Sequence, residues 1–180
     1  MQYPDYVFTE ALRGGTAVTV RRAGADDGPK IRRAFLKLER DTVYTRFFGH
    51  KANVSDAELG RITGADFERV VALLVTIGAG EDEVVIGGAS YFVSDSVAAV
   101  GRSAELAFTV EEDFQSRGIG SLLMRHIIAI ARMKGLDQLE ADVLSRNRSM
   151  LNVFRRCGLP MAMRHEGDVI HVILSLRGTG

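Results

Sequence analysis

The residues best suited to chemistry in this chain of 180 residues lie in the stretch Q-S-R-G-I-G-S, at positions 115–121. A helical pattern from Ser121 to Lys134 follows the glycines. The first amides of a helix have no partner within the helix and lie at the positive end of its dipole, so they bind anions. Gly118 and Gly120 let the backbone approach a phosphate and adopt angles closed to other residues, and Arg117 adds a positive charge. The stretch therefore predicts a pyrophosphate site.

Two better-known phosphate-binding motifs do not fit this stretch. A P-loop would need the pattern G-x-x-x-x-G-K-[S/T], which does not occur in the chain. A dinucleotide-binding fingerprint would need a third glycine near Leu123, and it would normally follow the first strand of the sheet. The other alternative is that the two glycines only form a tight turn between a strand and a helix.

A second candidate group lies on the strand before this loop, predicted at 104–110. Apolar residues such as Leu106 and Phe108 alternate with Glu105, which therefore lies on the opposite, more polar face. A carboxylate in this position can accept a proton, although it could equally be a solvated strand residue. Three further acids follow the strand and are alternatives for this role, although they are expected to form an exposed connector: Glu111, Glu112 and Asp113.

The rest of the chain predicts the elements that position these residues. Apolar patterns predict strands at 16–21, 70–77, 84–92, 104–110, 139–144 and 169–176. Capping residues and helical spacing predict helices beginning at Asp26 or Asp27 (and running through Leu38), at Ser55, at Ser121 and at Arg146. This order of elements indicates a mixed α/β sheet with helices on both faces. Because no linker or repeat divides the chain, residues 1–180 are expected to form a single domain.

The composition argues against several classes of protein. Lys and Arg together number 23, as do Asp and Glu, so the formal net charge is zero and nucleic-acid binding is not expected. The longest apolar run, 70–77, is too short to span a membrane. The lone cysteine, Cys157, suits a reducing compartment, and the four histidines show no zinc-binding spacing. We therefore expect a cytoplasmic protein with no metal, membrane or nucleic-acid partner.

Two motifs resemble those of the GNAT superfamily of N-acetyltransferases. The stretch from Gln115 to Gly120 matches the Q/R-x-x-G-x-G/A motif in its position between a central strand and a helix. The stretch N-R-S-M-L-N-V-F-R-R-C-G, from Asn147 to Gly158, resembles the N-x-x-x-x-x-x-Y-x-x-x-G helix of the family. The resemblance covers roughly residues 16–176. It implies a mostly antiparallel GNAT-type sheet and acetyl-coenzyme A as co-substrate.

The resemblance also implies which residues bind the coenzyme. In the family the loop amides bind the pyrophosphate, the backbone of the preceding strand holds the pantetheine arm and the acetyl carbonyl, and the helix asparagine contacts the pantetheine. The corresponding residues are Phe108, Thr109, Val110, Gln115, Ser116, Arg117, Gly118, Ile119, Gly120, Ser121 and Asn147.

Within the superfamily, residues 104–124 and 43–73 look like the acetyltransferase domain of bacterial Pat-type protein-lysine acetyltransferases. In those enzymes the glutamate corresponding to Glu105 is the general base. The chain departs from the wider family at Phe154, where many members have a tyrosine that acts as general acid. Since phenylalanine cannot donate a proton, the thiolate is expected to leave without help from a side-chain acid.

Three functions are compatible with these features. The Pat-type resemblance favours transfer of acetyl to a primary amine, most simply a protein lysine, by direct attack in a ternary complex. A second hypothesis is an enzyme that acetylates a small amine such as a polyamine, an amino acid or an aminoglycoside. A third is a non-catalytic domain that binds acetyl-coenzyme A as a sensor.

Overall fold

The structure, a computed structural model, describes residues 6–36, 54–94, 101–110 and 117–177. Eight strands lie within these ranges: β1 (Val7–Ala11), β2 (Ala17–Arg22), β3 (Val70–Ile77), β4 (Val84–Val93), β5 (Ser103–Val110), β6 (Gln138–Leu144), β7 (Met161–Glu166) and β8 (Val169–Ser175). The α-helices described are α1 (Gly28–Leu36), α2 (Asp56–Thr63), α3 (Ile119–Met133) and α4 (Arg148–Arg156). Short 3-10 helices cover Ala25–Asp27 and Gly80–Asp82. Leu38 of the first predicted helix lies outside the described residues.

The helices begin and end at residues that satisfy their terminal backbone groups. Ser55 caps α2 in a capping box, in which its hydroxyl accepts from the Glu58 amide and the Glu58 carboxylate accepts from the Ser55 amide. Asn147 caps α4 by accepting from the Met150 amide. Gly135 follows α3 with a φ of +67°, which confirms the predicted left-handed end of that helix.

The strands form one sheet in the order β1-β2-β3-β4-β5-β6-β8-β7. Every neighbouring pair is antiparallel except β5 and β6, which run parallel. This arrangement confirms the predicted mixed, mostly antiparallel sheet. The single parallel pair lies at the centre of the sheet, with the sequence of α3 forming the crossover between its two strands.

Helices pack on both faces of the sheet, as the sequence predicted. On one face α3 and α4 bury a core that includes Leu123, Ile127 and Phe154. On the other face α1 and α2 cover a smaller core with Ile31 and Phe35. Within the described ranges, no helix combines the length and the hydropathy that crossing a membrane requires.

Two strands were missed by the sequence analysis. β1 is a five-residue edge strand whose residues are mostly exposed, so it has no buried face to produce an alternating pattern. Tertiary contacts hold it instead, because the Tyr6 hydroxyl lies 2.7 Å from His126 Nδ1 in α3. β7 at the opposite edge, with the sequence M-A-M-R-H-E, is also largely exposed. Both strands form because an antiparallel neighbour supplies their hydrogen bonds.

Candidate active site

The site is built where β5 and β6 part. These two strands are paired at only three positions, and the last of them joins Glu105 to Glu140. β5 continues to Val110, paired on its other edge with β4. Residues 106–110 therefore present an edge of β5 that has no neighbouring strand in the described part of the chain. A ligand in this gap could pair with the strand backbone as an additional strand would.

The chain turns from β5 into α3 at Gly118, which has a φ of +94°. This left-handed conformation is open to glycine and strained for other residues. α3 then begins at Ile119, so its free amides lie at the open end of β5. Arg117 is exposed beside them. Of the predicted loop residues, Gln115 and Ser116 lie outside the described residues, as do the acids Glu111, Glu112 and Asp113.

Gly120 does not have the special backbone angle that the sequence suggested for it. α3 begins two residues earlier than predicted, so Gly120 is helical, and only Gly118 of the two glycines has a positive φ. A β-carbon on Gly120 would lie 3.1 Å from Val153 Cγ2 of α4. Its missing side chain therefore allows α3 and α4 to pack closely, whereas Gly118 supplies the special backbone angle.

Gly87 on β4 is a third glycine of the site, and the sequence analysis did not single it out. A β-carbon there would lie 2.9 Å from Ile119 Cγ2 and 3.2 Å from the Thr109 carbonyl oxygen. Gly87 thus lets the first turn of α3 sit directly on the sheet. The pair Gly87-Gly88 within an apolar strand pattern was the available indication, because glycine inside a strand often marks a close approach of backbone.

The turn between β1 and β2 also contacts the glycine loop. The Arg13 amide donates to the Arg117 carbonyl oxygen at 3.2 Å. The Arg13 side chain runs beside Gly118, with its nearest atom 3.7 Å from the position that a β-carbon would take. A second arginine is therefore brought to the start of α3 by a hairpin more than 100 residues away in the sequence.

Phe154 lies on α4 and contacts β5, and Asn147 is the residue that caps the start of α4. The carboxamide oxygen of Asn147 is used to cap the helix, so the NH2 group is the part of this side chain that is left to donate to a ligand. Phe154 is only 1% exposed. Its ring meets that of Phe108 edge to face, with the centroids 6.1 Å apart. Phe154, which stands where many members of the family have a tyrosine, is thus a core residue that packs against Phe108 of β5.

Glu105 faces away from the α3 core, because its neighbours Ala104 and Leu106 are buried in that core. Its side chain is exposed, and it makes no hydrogen bond or ion pair with any residue in the described ranges. Its cross-strand neighbour on β4 is Phe92, whose ring lies under the Arg61 guanidinium at 5.2 Å. The carboxylate is therefore available at the point where the strands part.

Next to Glu105 lies a group of polar side chains that the sequence analysis did not bring together. The side-chain Nε2 of Gln138 donates to Glu140 Oε1 at 2.7 Å. His171 of β8 places Nε2 3.4 Å from Glu140 Oε2 and Nδ1 2.7 Å from Asp142 Oδ1. Only the alternation of Gln138, Glu140 and Asp142 along β6 was visible in the sequence. The pairing with His171 depends on the register of β6 with β8.

An apolar cavity of about 60 Å³ lies on the same side of the sheet, between α1, α2 and the strands β3 to β5. Most of its lining is apolar, with Ser90 and Thr109 as the hydroxyl-bearing exceptions. Thr109, which lines the cavity, lies on the same face of β5 as Glu105, four residues further along the strand. The cavity and the candidate site therefore share this face of the sheet.

Two further groups are poor candidates for chemistry. Burial raises the pKa of the Cys157 thiol, which disfavours the thiolate needed for a covalent intermediate. His126 is 7% exposed and lies between Tyr6 and Glu10. Its burial lowers its pKa, although Glu10 acts in the opposite direction. In the described ranges, no group of three or more His, Cys, Asp or Glu side chains has a geometry suited to a metal ion.

Comparison with known proteins identifies the family. Residues 41–159 match the sequence profile of the Acetyltransferase (GNAT) family, so the chain belongs to this family. The GNAT domain of S. lividans PAT superposes with a TM-score of 0.83 at 29% identity, over 94% of this chain and 96% of that one. An acetyltransferase of Pseudomonas aeruginosa is 25% identical over 166 residues, 92% of this chain and 87% of that protein.

A shorter stretch is more similar to a third protein. Over 67 residues the chain is 46% identical to Acetyltransferase Pat of Mycolicibacterium smegmatis, which covers 37% of this chain and 20% of that protein. Together these similarities confirm the predicted resemblance to GNAT enzymes and to Pat-type domains within them. The chain is an acetyl-coenzyme A-dependent N-acetyltransferase.

Proposed function

We propose that the chain transfers the acetyl group of acetyl-coenzyme A to the side-chain amine of a protein lysine, by direct attack in a ternary complex. Glu105 acts as general base. The observation that carries the proposal is the position of this carboxylate, exposed and without a described partner at the point where β5 and β6 part. A cytoplasmic location is part of the proposal, since the lone cysteine suits a reducing compartment.

The coenzyme is proposed to lie along the open edge of β5. Its pyrophosphate would bind the amides between Gln115 and Ser121, beside the Arg117 guanidinium, and the backbone of 108–110 would hold the pantetheine arm. The NH2 group of Asn147 would donate to the same arm. The left-handed Gly118 and the free amides of α3 fit an anion at this place. The coenzyme supplies the activated acetyl group and a thiolate that leaves without a proton donor.

Glu105 is needed because a lysine amine is protonated at neutral pH. Its usual pKa is near 10.4, so forming the neutral amine at pH 7 costs about 4 kcal/mol. A carboxylate that accepts this proton, directly or through one water, lowers that barrier. When the amine attacks, the thioester oxygen gains negative charge, and a backbone amide of 108–110 would stabilise it. No side-chain acid is required from Phe154, which is buried.

The surface around Glu105 supports a cationic acceptor carried on a large molecule. Side chains of β6, β8 and β7 on this side are mostly exposed or half-buried, and Glu140 and Asp142 add two acids beside Glu105. A negative surface attracts an ammonium group, and a sheet face that no described helix covers at β6, β7 and β8 leaves room for a protein. The resemblance to Pat-type domains, which implies a protein-lysine acceptor, is supported by the likeness to S. lividans PAT and to Acetyltransferase Pat.

The acceptor is tested by measuring thiol release from acetyl-coenzyme A with a panel of proteins, polyamines, amino acids and aminoglycosides. We expect faster turnover with proteins, and mass spectrometry should locate the new acetyl groups on lysine side chains. Fast acetylation of a small amine, with no modified lysine in a whole-cell lysate, would contradict the proposed acceptor. Tight binding of acetyl-coenzyme A without turnover on any amine would instead indicate a sensor.

A further inference from the structure

Glu105 and Glu140 are neighbours in the sheet. Their Cα atoms are register partners on adjacent parallel strands, which lie about 4.8 Å apart. Both side chains point to the same face, because Ala104 and Leu106 on β5, like Leu139 on β6, enter the core on the other face. The proposed base therefore has a second carboxylate beside it.

From Glu140 the polar groups continue across β6 and β8 toward solvent. Glu140 Oε2 lies 3.4 Å from His171 Nε2, and His171 Nδ1 lies 2.7 Å from Asp142 Oδ1. The side chains of Glu140 and His171 are 27% and 23% exposed, whereas that of Asp142 is 51% exposed. In the series Glu105, Glu140, His171, Asp142, the last of the three side chains that follow Glu105 is thus the most exposed to solvent.

Histidine is the side chain best suited to passing a proton between carboxylates near neutral pH. A neutral imidazole donates from one nitrogen and accepts at the other, and a protonated one donates from both. His171 has a carboxylate oxygen at each ring nitrogen, so either form finds partners. Among the described residues, Arg164 on β7 is a further charged residue near His171, because it is the register partner of His171, and it is paired with Glu166 at 2.9 Å.

We propose that Glu140 and His171 form a proton relay that removes the proton from the Glu105 carboxyl group during each turnover. This inference rests on the proposed role of Glu105. The acceptor enters as an ammonium ion and loses two protons while the N–C bond forms and the C–S bond breaks. The electron pair of the C–S bond goes to the sulfur, and one of the two protons converts the thiolate to the thiol. The other proton passes from Glu105 through a bridging water to Glu140, and then through His171 to Asp142 and to water.

The relay explains how the base works under a bound protein. An acceptor seated at the gap covers Glu105 and removes its direct contact with bulk water. Asp142 lies on the same strand as Glu140, two residues beyond the last pairing of β5 with β6, and its side chain is 51% exposed. Glu140 and His171 are positioning residues in this scheme, because they act through Glu105 and do not touch the acetyl group.

The test is kinetic and uses the whole chain with a lysine-containing protein as acceptor. In His171→Gln we expect kcat to fall about tenfold or more, with an unchanged KM for acetyl-coenzyme A. Activity should return as imidazole buffer is added, because a small base then accepts the proton. The parent enzyme should show no such rescue. Glu140→Gln should behave in the same way, which keeps the test valid if one variant folds poorly.

His165→Gln is the matched control, because His165 is an exposed histidine on the neighbouring strand β7, and its kcat should equal that of the parent. A folded His171→Gln or Glu140→Gln enzyme with parental kcat and no response to imidazole would overturn the relay. If Glu105→Gln is strongly impaired while the His171 or Glu140 variant keeps parental kcat, the relay alone is overturned and the proposed function stands. Parental activity in Glu105→Gln, or a parent chain that acetylates no amine, would overturn the proposed function together with the relay.

Discussion

One end of the candidate active site consists mainly of backbone groups, whereas the other end consists of side chains. At the end proposed for the coenzyme, the structure offers mainly backbone: the edge of β5, the left-handed Gly118 and the free amides of α3. Two more glycines, Gly87 and Gly120, contribute by having no side chain, because β-carbons there would approach Ile119 and Val153.

At the other end the site consists of side chains from several strands. Glu105 comes from β5, Glu140 and Asp142 come from β6, and His171 comes from β8. None of these groups depends on an unusual backbone angle. Their positions follow from the register of ordinary strands, in which every second residue faces the same side.

This difference separates two kinds of sensitivity. A site made of backbone is damaged by side chains that fill space or strain a glycine, so substitutions there should weaken binding. A site made of side chains is damaged when a functional group is removed, even if the replacement has the same shape. Binding and turnover should therefore respond to different sets of substitutions.

The largest effect is expected for Glu105→Gln, which removes the proposed base but keeps the size of the side chain. Turnover should fall about 10²- to 10⁴-fold at neutral pH, while calorimetry should show unchanged affinity for acetyl-coenzyme A. Part of the activity should return at high pH, where more of the amine is neutral without help. Near-normal turnover at neutral pH would contradict the assignment of Glu105.

Glu83→Gln is the matched control for this prediction. Glu83 accepts hydrogen bonds from Arg21 and forms an ion pair with Lys30, and these contacts, Arg21 foremost, lower its pKa to about 2. The variant should lose about 1–3 kcal/mol of unfolding free energy at pH 7 and keep its turnover. Because the pKa of Glu83 is lower in the folded protein, its carboxylate stabilises the fold at pH values above its unfolded pKa. This stabilisation is lost as the pH falls through the folded pKa. The stability gap should therefore close between about pH 5 and pH 2.

A smaller effect, on binding, is expected for Gly118→Glu. The new side chain would strain a position with a φ of +94° and place a negative charge at the proposed pyrophosphate site. We expect the affinity for acetyl-coenzyme A to fall about 100-fold, which corresponds to about 2.7 kcal/mol. Gly167→Glu is the control, because Gly167 also has a positive φ, +59°, and no atom near its missing β-carbon. If both folded variants bind acetyl-coenzyme A as the parent does, the proposed site is wrong.

The smallest effect on turnover is expected for Phe154→Tyr, which restores the residue that many GNAT enzymes have. Because Phe154 is 1% exposed, the new hydroxyl would be buried next to β5. It should cost about 1–3 kcal/mol of stability if it finds no partner. Turnover should stay within about twofold of the parent, since a thiolate can leave unprotonated. A rise in kcat of tenfold or more would show that the chain lacks an acid that it could use.

The sequence by itself indicated the part of the candidate site that depends on neighbours in the chain. The spacing of Gly118 and Gly120 between a strand and a helix pattern indicated an anion site, because helix starts and left-handed turns are local features. The same local patterns located most of the strands and all four described helices. They did not separate the roles of the two glycines, which differ by where α3 begins and by contact with Val153.

Only the tertiary structure decided what surrounds Glu105. Glu140 and His171 are 35 and 66 residues away from it in the sequence, and they meet it through the parallel pairing of β5 with β6 and the antiparallel pairing of β6 with β8. Arg13 reaches Gly118 through β1, a strand with too little buried surface to leave a pattern. Strand register is set by packing between distant segments, because a shift of one residue would turn every side chain to the other face.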